Sequence, residues 1–230
     1  MSRVAQNTNP GGAPTIVLSE SLVSPWFYAS ATGLFVACML HILSVGHSRL
    51  VAAHGAEAGL RRGRLYGAAS GALESVCLVG LWISPQPALP APPLDSSLAF
   101  LGFRVWTVNL LLSSPFLVAG AWLGLWGLMA VGMRVAETHS TPGGLVTTGV
   151  YSLVRHPQYL GWLLAHVGAS ILASAQASLL FTPVLVAVVY VISRAEEADL
   201  SEAFGDEYRQ YQEKVPMLLP WPREQWRGRQ

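Results

Sequence analysis

The sequence predicts an all-α fold, a polytopic membrane bundle of about five transmembrane helices followed by a C-terminal cytoplasmic amphipathic helix. Three observations carry this expectation. Of the 230 residues, 52% are hydrophobic and only 12% charged, about half the charged share of an ordinary soluble domain. The charges are also unevenly placed: from Arg194 onward, 37 residues hold six basic and eight acidic side chains out of 14 and 13 in the chain. The remainder therefore contains uncharged runs approaching the ~20 residues that a helical bilayer crossing needs. A net charge of +1 provides no large field to draw in nucleic acid, and the apolar content excludes a disordered chain.

Residues 1–24, with Asn7, Asn9, Pro10, Gly11 and Pro14, form a polar leader that lacks the apolar core of a signal peptide. The N-terminal helices occupy 25–140. The first span runs from about Pro25 to Gly46, and the second from the Arg61, Arg62, Arg64 cluster to Pro85 with Glu74 inside it. The third is one long or tilted helix, roughly 104–133, preceded by an interfacial segment, with Arg104 snorkelling at its start. The fourth and fifth, about Pro157–Ala173 and Leu179–Ser193, form a tight hairpin around Ser174, Ala175 and Gln176. Basic residues favour the cytoplasmic side, so Arg49, Arg61, Arg62 and Arg64 lie inside and the Pro85–Pro93 linker outside. Alternation through five spans then puts the N-terminus outside and the C-terminus in the cytoplasm. Gly120 and Gly124 give the third span a smooth packing face. Cys38 and Cys77 are expected as buried small apolar residues, His41 and His166 as packed, hydrogen-bonded core residues, and no metal-ligand spacing occurs. Glu74, about ten residues into its span, either hydrogen-bonds within the bundle or faces a substrate cavity.

Two segments carry chemistry. The first is Leu145-Val-Thr-Thr-Gly-Val-Tyr-Ser-Leu-Val-Arg155-His156-Pro157-Gln158-Tyr159-Leu160-Gly161. Pro157 suits the first turn of a helix, which places Arg155 and His156 at its mouth beside unpaired N–H groups, where an anionic group is favoured. The second runs from Arg194 to Pro216, where Leu200, Phe204, Tyr208 and Tyr211 share one helix face and Glu196 lies one turn earlier. Antiparallel packing of the last two spans brings Arg155 and His156 to the Glu196 and Glu197 pair, an arrangement able to grip a zwitterion.

These segments read L-V-T-x-G-V-Y-x-x-V-R-H-P-x-Y-x-G and, after a hairpin, E-E-x-x-L-x-x-x-F-G-x-E-Y-x-x-Y-x-x-x-V-P. Together they resemble the integral membrane methyltransferases that include isoprenylcysteine carboxyl methyltransferase, phospholipid methyltransferases and methanethiol S-methyltransferase. The resemblance covers about residues 143–220. It implies a donor-binding core over 141–222, with 223–230 as a tail, and S-adenosylmethionine as cofactor, bound at the cytoplasmic end of the last spans. It further implies that Gly144, Leu145, Val146 and Tyr151 line the adenosyl pocket, that His156, Pro157, Gln158 and Tyr159 form its wall, and that Glu196 holds the ribose or amino group. Arg155 and Glu197 match polar positions near the reacting end and receive a catalytic role. Gly144 departs from a family that often has His there. His47-Ser48-Arg49 looks like bacterial members, which implies a bacterial inner membrane. The acceptor is expected to be lipophilic or membrane-partitioning: a prenylcysteine carboxylate, a thiol or a phospholipid amine. Sterol reductases using NADPH share R-H-P-x-Y-x-G, but their tail differs from Arg194-Ala-Glu196-Glu197. A non-catalytic membrane scaffold is the third class.

Overall fold

A computed structural model describes residues 22–90, 96–100, 103–132 and 144–220. The leader up to residue 21, Asp95, Arg134, the tail beyond 220 and the side chains of His47, Ser48 and Arg104 lie outside the described residues.

Among the described residues, three helices are long and apolar enough to cross a membrane: α1 (Pro25–Val45), α3 (Ala56–Ile83) and α4 (Thr107–Val131). Between the first two lies the short α2 (His47–His54). After α4 come a 3-10 turn (Gly149–Ser152), α5 (Pro157–Leu172), α6 (Gln176–Leu180), α7 (Thr182–Phe204) and α8 (Asp206–Lys214). At 1.5 Å per residue α5 is about 24 Å long, a little short of the ~30 Å hydrocarbon core, whereas α7 at about 35 Å projects beyond it.

Four sequence expectations change. The Arg61, Arg62, Arg64 cluster sits within the early turns of α3 rather than in a loop. The third helix starts at Thr107, not near 104. Before it comes an antiparallel β-hairpin, β1 (Ser97–Phe100) and β2 (Phe103–Trp106), with Phe100 opposite Phe103, so the all-α expectation fails locally. Aromatic and β-branched side chains such as Val105 and Trp106 favour a pleated, half-buried surface, and the four-residue strands are too short for a periodicity search to separate from the adjoining helix. Finally, the helix carrying Leu200 and Tyr208 is broken at Gly205, whose φ of 55° ends α7 and opens α8.

α1 packs along α3, and α4 along α5. Phe27, Ala31 and Leu34 of α1, Cys77, Leu78 and Leu81 of α3, Leu163 of α5, and Leu185 and Val189 of α7 form the buried apolar core. The opposite faces carry exposed side chains such as Leu111, Val118, Leu125 and Val76, the pattern of helices solvated by lipid. Cys38 and Cys77 are buried, as expected. The glycine face of α4 meets α5 at backbone distance: a Cβ on Gly161 would lie 2.7 Å from the Gly120 carbonyl oxygen and from the Gly124 nitrogen. Gly161 thus serves helix approach, and this contact fixes the start of α5 against α4.

At one end of the bundle the proline-rich linker docks on the α5–α6 turn, where Gln176 N–H donates to the Pro87 carbonyl (3.1 Å) and Leu89 N–H to that of Ser174 (3.1 Å). His166 accepts from Trp82 Nε1 (3.2 Å) and lies 3.1 Å from the Ser178 carbonyl, a satisfied core histidine. The other end holds the two motif segments.

Candidate functional site

Pro157 opens α5 with His156 at its N-cap, and this junction is fixed by the far end of the chain. Arg155 N–H donates to the Pro216 carbonyl (2.9 Å) and His156 N–H to that of Met217 (3.1 Å). Pro216-Met217 therefore completes the backbone of the first motif. Beneath it Tyr208, Tyr211 and Val215 form a second apolar cluster with Leu145, Leu200 and Phe204.

Against this frame α7 presents Glu196 and Glu197. The Arg155 guanidinium meets Glu197 Oε1 through Nε (2.7 Å) and a terminal nitrogen (2.6 Å). It also donates to the carbonyls of Gln212 (3.2 Å) and Val215 (2.5 Å). Four of its five N–H groups are thus engaged. Glu197 Oε2 accepts from Gln212 Nε2 (3.1 Å). The side chains of this pair are only 8% and 3% exposed, so each is desolvated and compensated by the other.

His156 bridges the two carboxylates, with Nδ1 3.3 Å from Glu196 Oε2 and Nε2 3.4 Å from Glu197 Oε1. Its ring stacks on Tyr159 (5.6 Å between centroids, 15° between planes), and the Tyr159 hydroxyl donates to Glu196 Oε1. Gln158 donates to the Tyr151 hydroxyl (3.1 Å), which faces the Gly127 carbonyl of α4 (3.4 Å). Tyr211 ties α8 to the same segment by donating to the Tyr151 carbonyl (2.6 Å).

The structure therefore brings together Tyr151, Arg155, His156, Gln158, Tyr159, Glu196 and Glu197, with Pro157 buried behind them. Leu145 points into the Tyr208 and Tyr211 cluster, Val146 is half-buried and Gly144 is exposed. Glu196 differs from Glu197 in that its side chain is 22% exposed. A carboxylate offers about four lone-pair sites; Tyr159 and His41 face Oε1 and His156 faces Oε2, which leaves Glu196 able to accept from a ligand.

Residues 108–207 match the phospholipid methyltransferase family model. Over 132 residues the chain is 36% identical to methanethiol S-methyltransferase 1 of Bradyrhizobium diazoefficiens, an alignment covering 57% of this chain and 44% of that protein. Over 110 residues it is 36% identical to the protein-S-isoprenylcysteine O-methyltransferase of Schizosaccharomyces pombe, covering 46% and 47%. The chain resembles the integral membrane methyltransferases. It spans about half the length of these relatives. The methyltransferase-like match runs through α4, α5, α6 and α7, and so contains Arg155, His156, Glu196 and Glu197 but neither the start of the bundle nor the Tyr208–Pro216 support.

Two residues of the cluster lie outside that match. His41, near the end of α1, places Nε2 2.9 Å from the Tyr159 hydroxyl and 3.6 Å from Glu196 Oε1, with Nδ1 3.4 Å from Glu74 Oε1. Ser70 donates to the same Glu74 oxygen (3.0 Å). Glu74 thus hydrogen-bonds within the bundle, and His41 is buried and hydrogen-bonded as expected, with carboxylates on both sides of its ring. Their available signal was charge complementarity on adjacent apolar spans; a search for metal-ligand spacing overlooks it. A groove of about 660 Å³ between α1 and α3, walled by Trp26, Val76, Cys77 and Ile83, shares no residue with this cluster.

The network sets a pH dependence. Burial alone would lower the proton affinity of His156, but the carboxylates of Glu196 and Glu197 outweigh it and raise the pKa above the ordinary 6.5. Burial pushes Glu196 and Glu197 up, yet His156, with His41 for Glu196 and Arg155 for Glu197, brings both below the ordinary 4.5. The His156 contribution to stability is complete below 6.5 and is lost as pH rises through its raised folded value. The glutamate contributions are complete above 4.5 and are lost as pH falls through their lowered values. The melting temperature of the detergent-solubilised protein is expected to peak between 4.5 and 6.5 and to decline on both sides; a level profile from acid to alkaline pH would remove these ion pairs from the stability of the fold.

Proposed function

We propose that this protein is an integral membrane methyltransferase that uses S-adenosylmethionine to methylate a lipophilic or membrane-partitioning nucleophile. The observation that carries the proposal is the partly exposed Glu196 carboxylate, held between His156 and Tyr159 within the segment that matches the phospholipid methyltransferase model. In this reading α1, α3, α4, α5 and α7 are five spans. The N-terminus lies outside, and the C-terminus lies in the cytoplasm of a bacterial cell with the exposed Arg61, Arg62 and Arg64.

The residues present fit such a donor. Bound there, the donor supplies a methyl group activated on a sulfonium. Glu196 accepts from the ribose or amino group and offsets positive charge, while Tyr159 and His156 fix its orientation. Gln158, Tyr151, Val146 and Gly144 border the adenosyl side, with Leu145 and Pro157 supporting them from the core. Arg155 and Glu197, closed on one another and on α8, serve catalysis by positioning His156. Alignment of donor and acceptor is the main contribution a protein makes to an in-line displacement. Because relatives are named for methanethiol, a thiol is the first acceptor to test; it enters readily as the anion.

Calorimetric titration of the full chain in detergent with S-adenosylmethionine, S-adenosylhomocysteine and NADPH tests the assignment. Binding of both adenosyl ligands is expected, while binding of NADPH alone would replace the proposal with a reductase.

A further inference from the structure

The cluster does not stop at the matched segment. Read inward from the membrane surface, its charged groups alternate: Arg155, Glu197, His156, Glu196, His41, Glu74. The last two come from α1 and α3, helices outside the family match. His41 is 6% exposed, and among the groups facing it are Glu74 of α3, Tyr159 of α5 and Glu196 of α7.

The groups around the ring favour one protonation state. Tyr159 has one hydroxyl proton and gives it to Glu196, so toward His41 the hydroxyl can only accept and Nε2 must donate. On the other side of the ring Nδ1 lies 3.4 Å from Glu74 Oε1, an ion-pair distance at which an N–H facing the carboxylate is favoured and a bare lone pair is not. A ring with donors on both nitrogens is an imidazolium.

We propose that His41 and Glu74 are positioning residues of the donor site, with Glu74 holding the His41 ring doubly protonated and that ring, through Tyr159, holding Glu196 turned toward its ligand. The inference rests on the donor reading of Glu196. It assigns a task to Glu74 inside a span, where an ionisable group is costly unless paired and is functional by default. Ser70 extends the chain of positioning: its hydroxyl lies 3.0 Å from both Glu74 Oε1 and the Ala37 carbonyl of α1 and shares its one proton between them, so the carboxylate is registered against the helix that carries His41.

The test uses the full chain, labelled with [15N]histidine, in detergent micelles or nanodiscs. His41→Gln identifies the resonances. In the wild type both His41 ring nitrogens are expected to show the protonated shift at neutral pH, and in Glu74→Gln one of them is expected to move to the unprotonated position. In parallel, calorimetry is expected to show S-adenosylhomocysteine affinity reduced about tenfold in Glu74→Gln and His41→Gln, the size of one charge-assisted hydrogen bond. Glu74→Asp is expected to restore it to within about threefold, with the acceptor KM unchanged in all three. A purely structural role would lower the melting temperature without this split or rescue. A neutral His41 ring in the wild type overturns the proposal, as does a wild-type spectrum with no doubly protonated histidine ring even if no variant folds, and so does wild-type donor affinity in Glu74→Gln. Absence of adenosyl binding to the wild type with an intact imidazolium overturns the donor reading instead.

Discussion

Glu196→Gln is expected to weaken S-adenosylhomocysteine binding by about 10- to 100-fold, the loss that follows from removing a hydrogen bond to a charged group worth ~1.5–3 kcal/mol. The substitution keeps the side-chain volume and one carbonyl acceptor but removes the negative charge between His156 and His41. The ligand side is where the charge matters most, because Glu196 retains 22% exposure while Glu197, one residue on, is closed at 3%. If the proposed contact is made, replacing the carboxylate by an amide leaves the ligand's ammonium group, common to donor and product, without its counter-charge. Expression and secondary structure are expected to hold, since α7 is anchored by Leu185, Val189 and Ile192 in the core. Calorimetric titration of wild type and variant side by side checks the result, and equal affinities would remove Glu196 from the pocket.

The sequence showed the framework because lipid solvation leaves a coarse signal. Long uncharged runs mark α1, α3 and α4, and the proline at 157 marks the start of α5. Motif chemistry brought Arg155 and His156 to Glu196 and Glu197, since a buried cation needs a carboxylate and the hairpin topology offers one. The β-hairpin and the break at Gly205 depend on local backbone conformation over four residues or one, a scale on which periodicity carries no information. His41 and Glu74 were hidden for another reason. Each stands alone in an apolar stretch of its helix, 33 residues from the other, and their pairing exists only once α1 packs along α3. Gln212 and Val215 became visible only through the fold as well. One contributes a side-chain amide and both contribute carbonyls to the Arg155–Glu197 pair, and no residue type announces a backbone acceptor.

Arg155→Leu carries the largest expected loss of stability. The guanidinium is 8% exposed and joins Glu197, the last turn of α8 and the residue that follows it, so its removal leaves a carboxylate 3% exposed with only His156 and Gln212 as partners. Breaking one side of a buried ion pair typically costs ~3–5 kcal/mol, and the orphaned carbonyls of Gln212 and Val215 add to it. The melting temperature in detergent is expected to fall steeply, with α8 the first element to lose amide protection in hydrogen exchange. Restoring charge balance with Arg155→Leu and Glu197→Leu together is expected to recover much of the loss, because an apolar pair of similar volume often replaces a buried salt bridge at little cost. His156 then keeps Glu196 as its partner, so the double variant should retain weak but measurable S-adenosylhomocysteine binding. A double variant as unstable as the single one would show that the carbonyl contacts of Arg155, rather than its ion pair, hold α8 on the bundle.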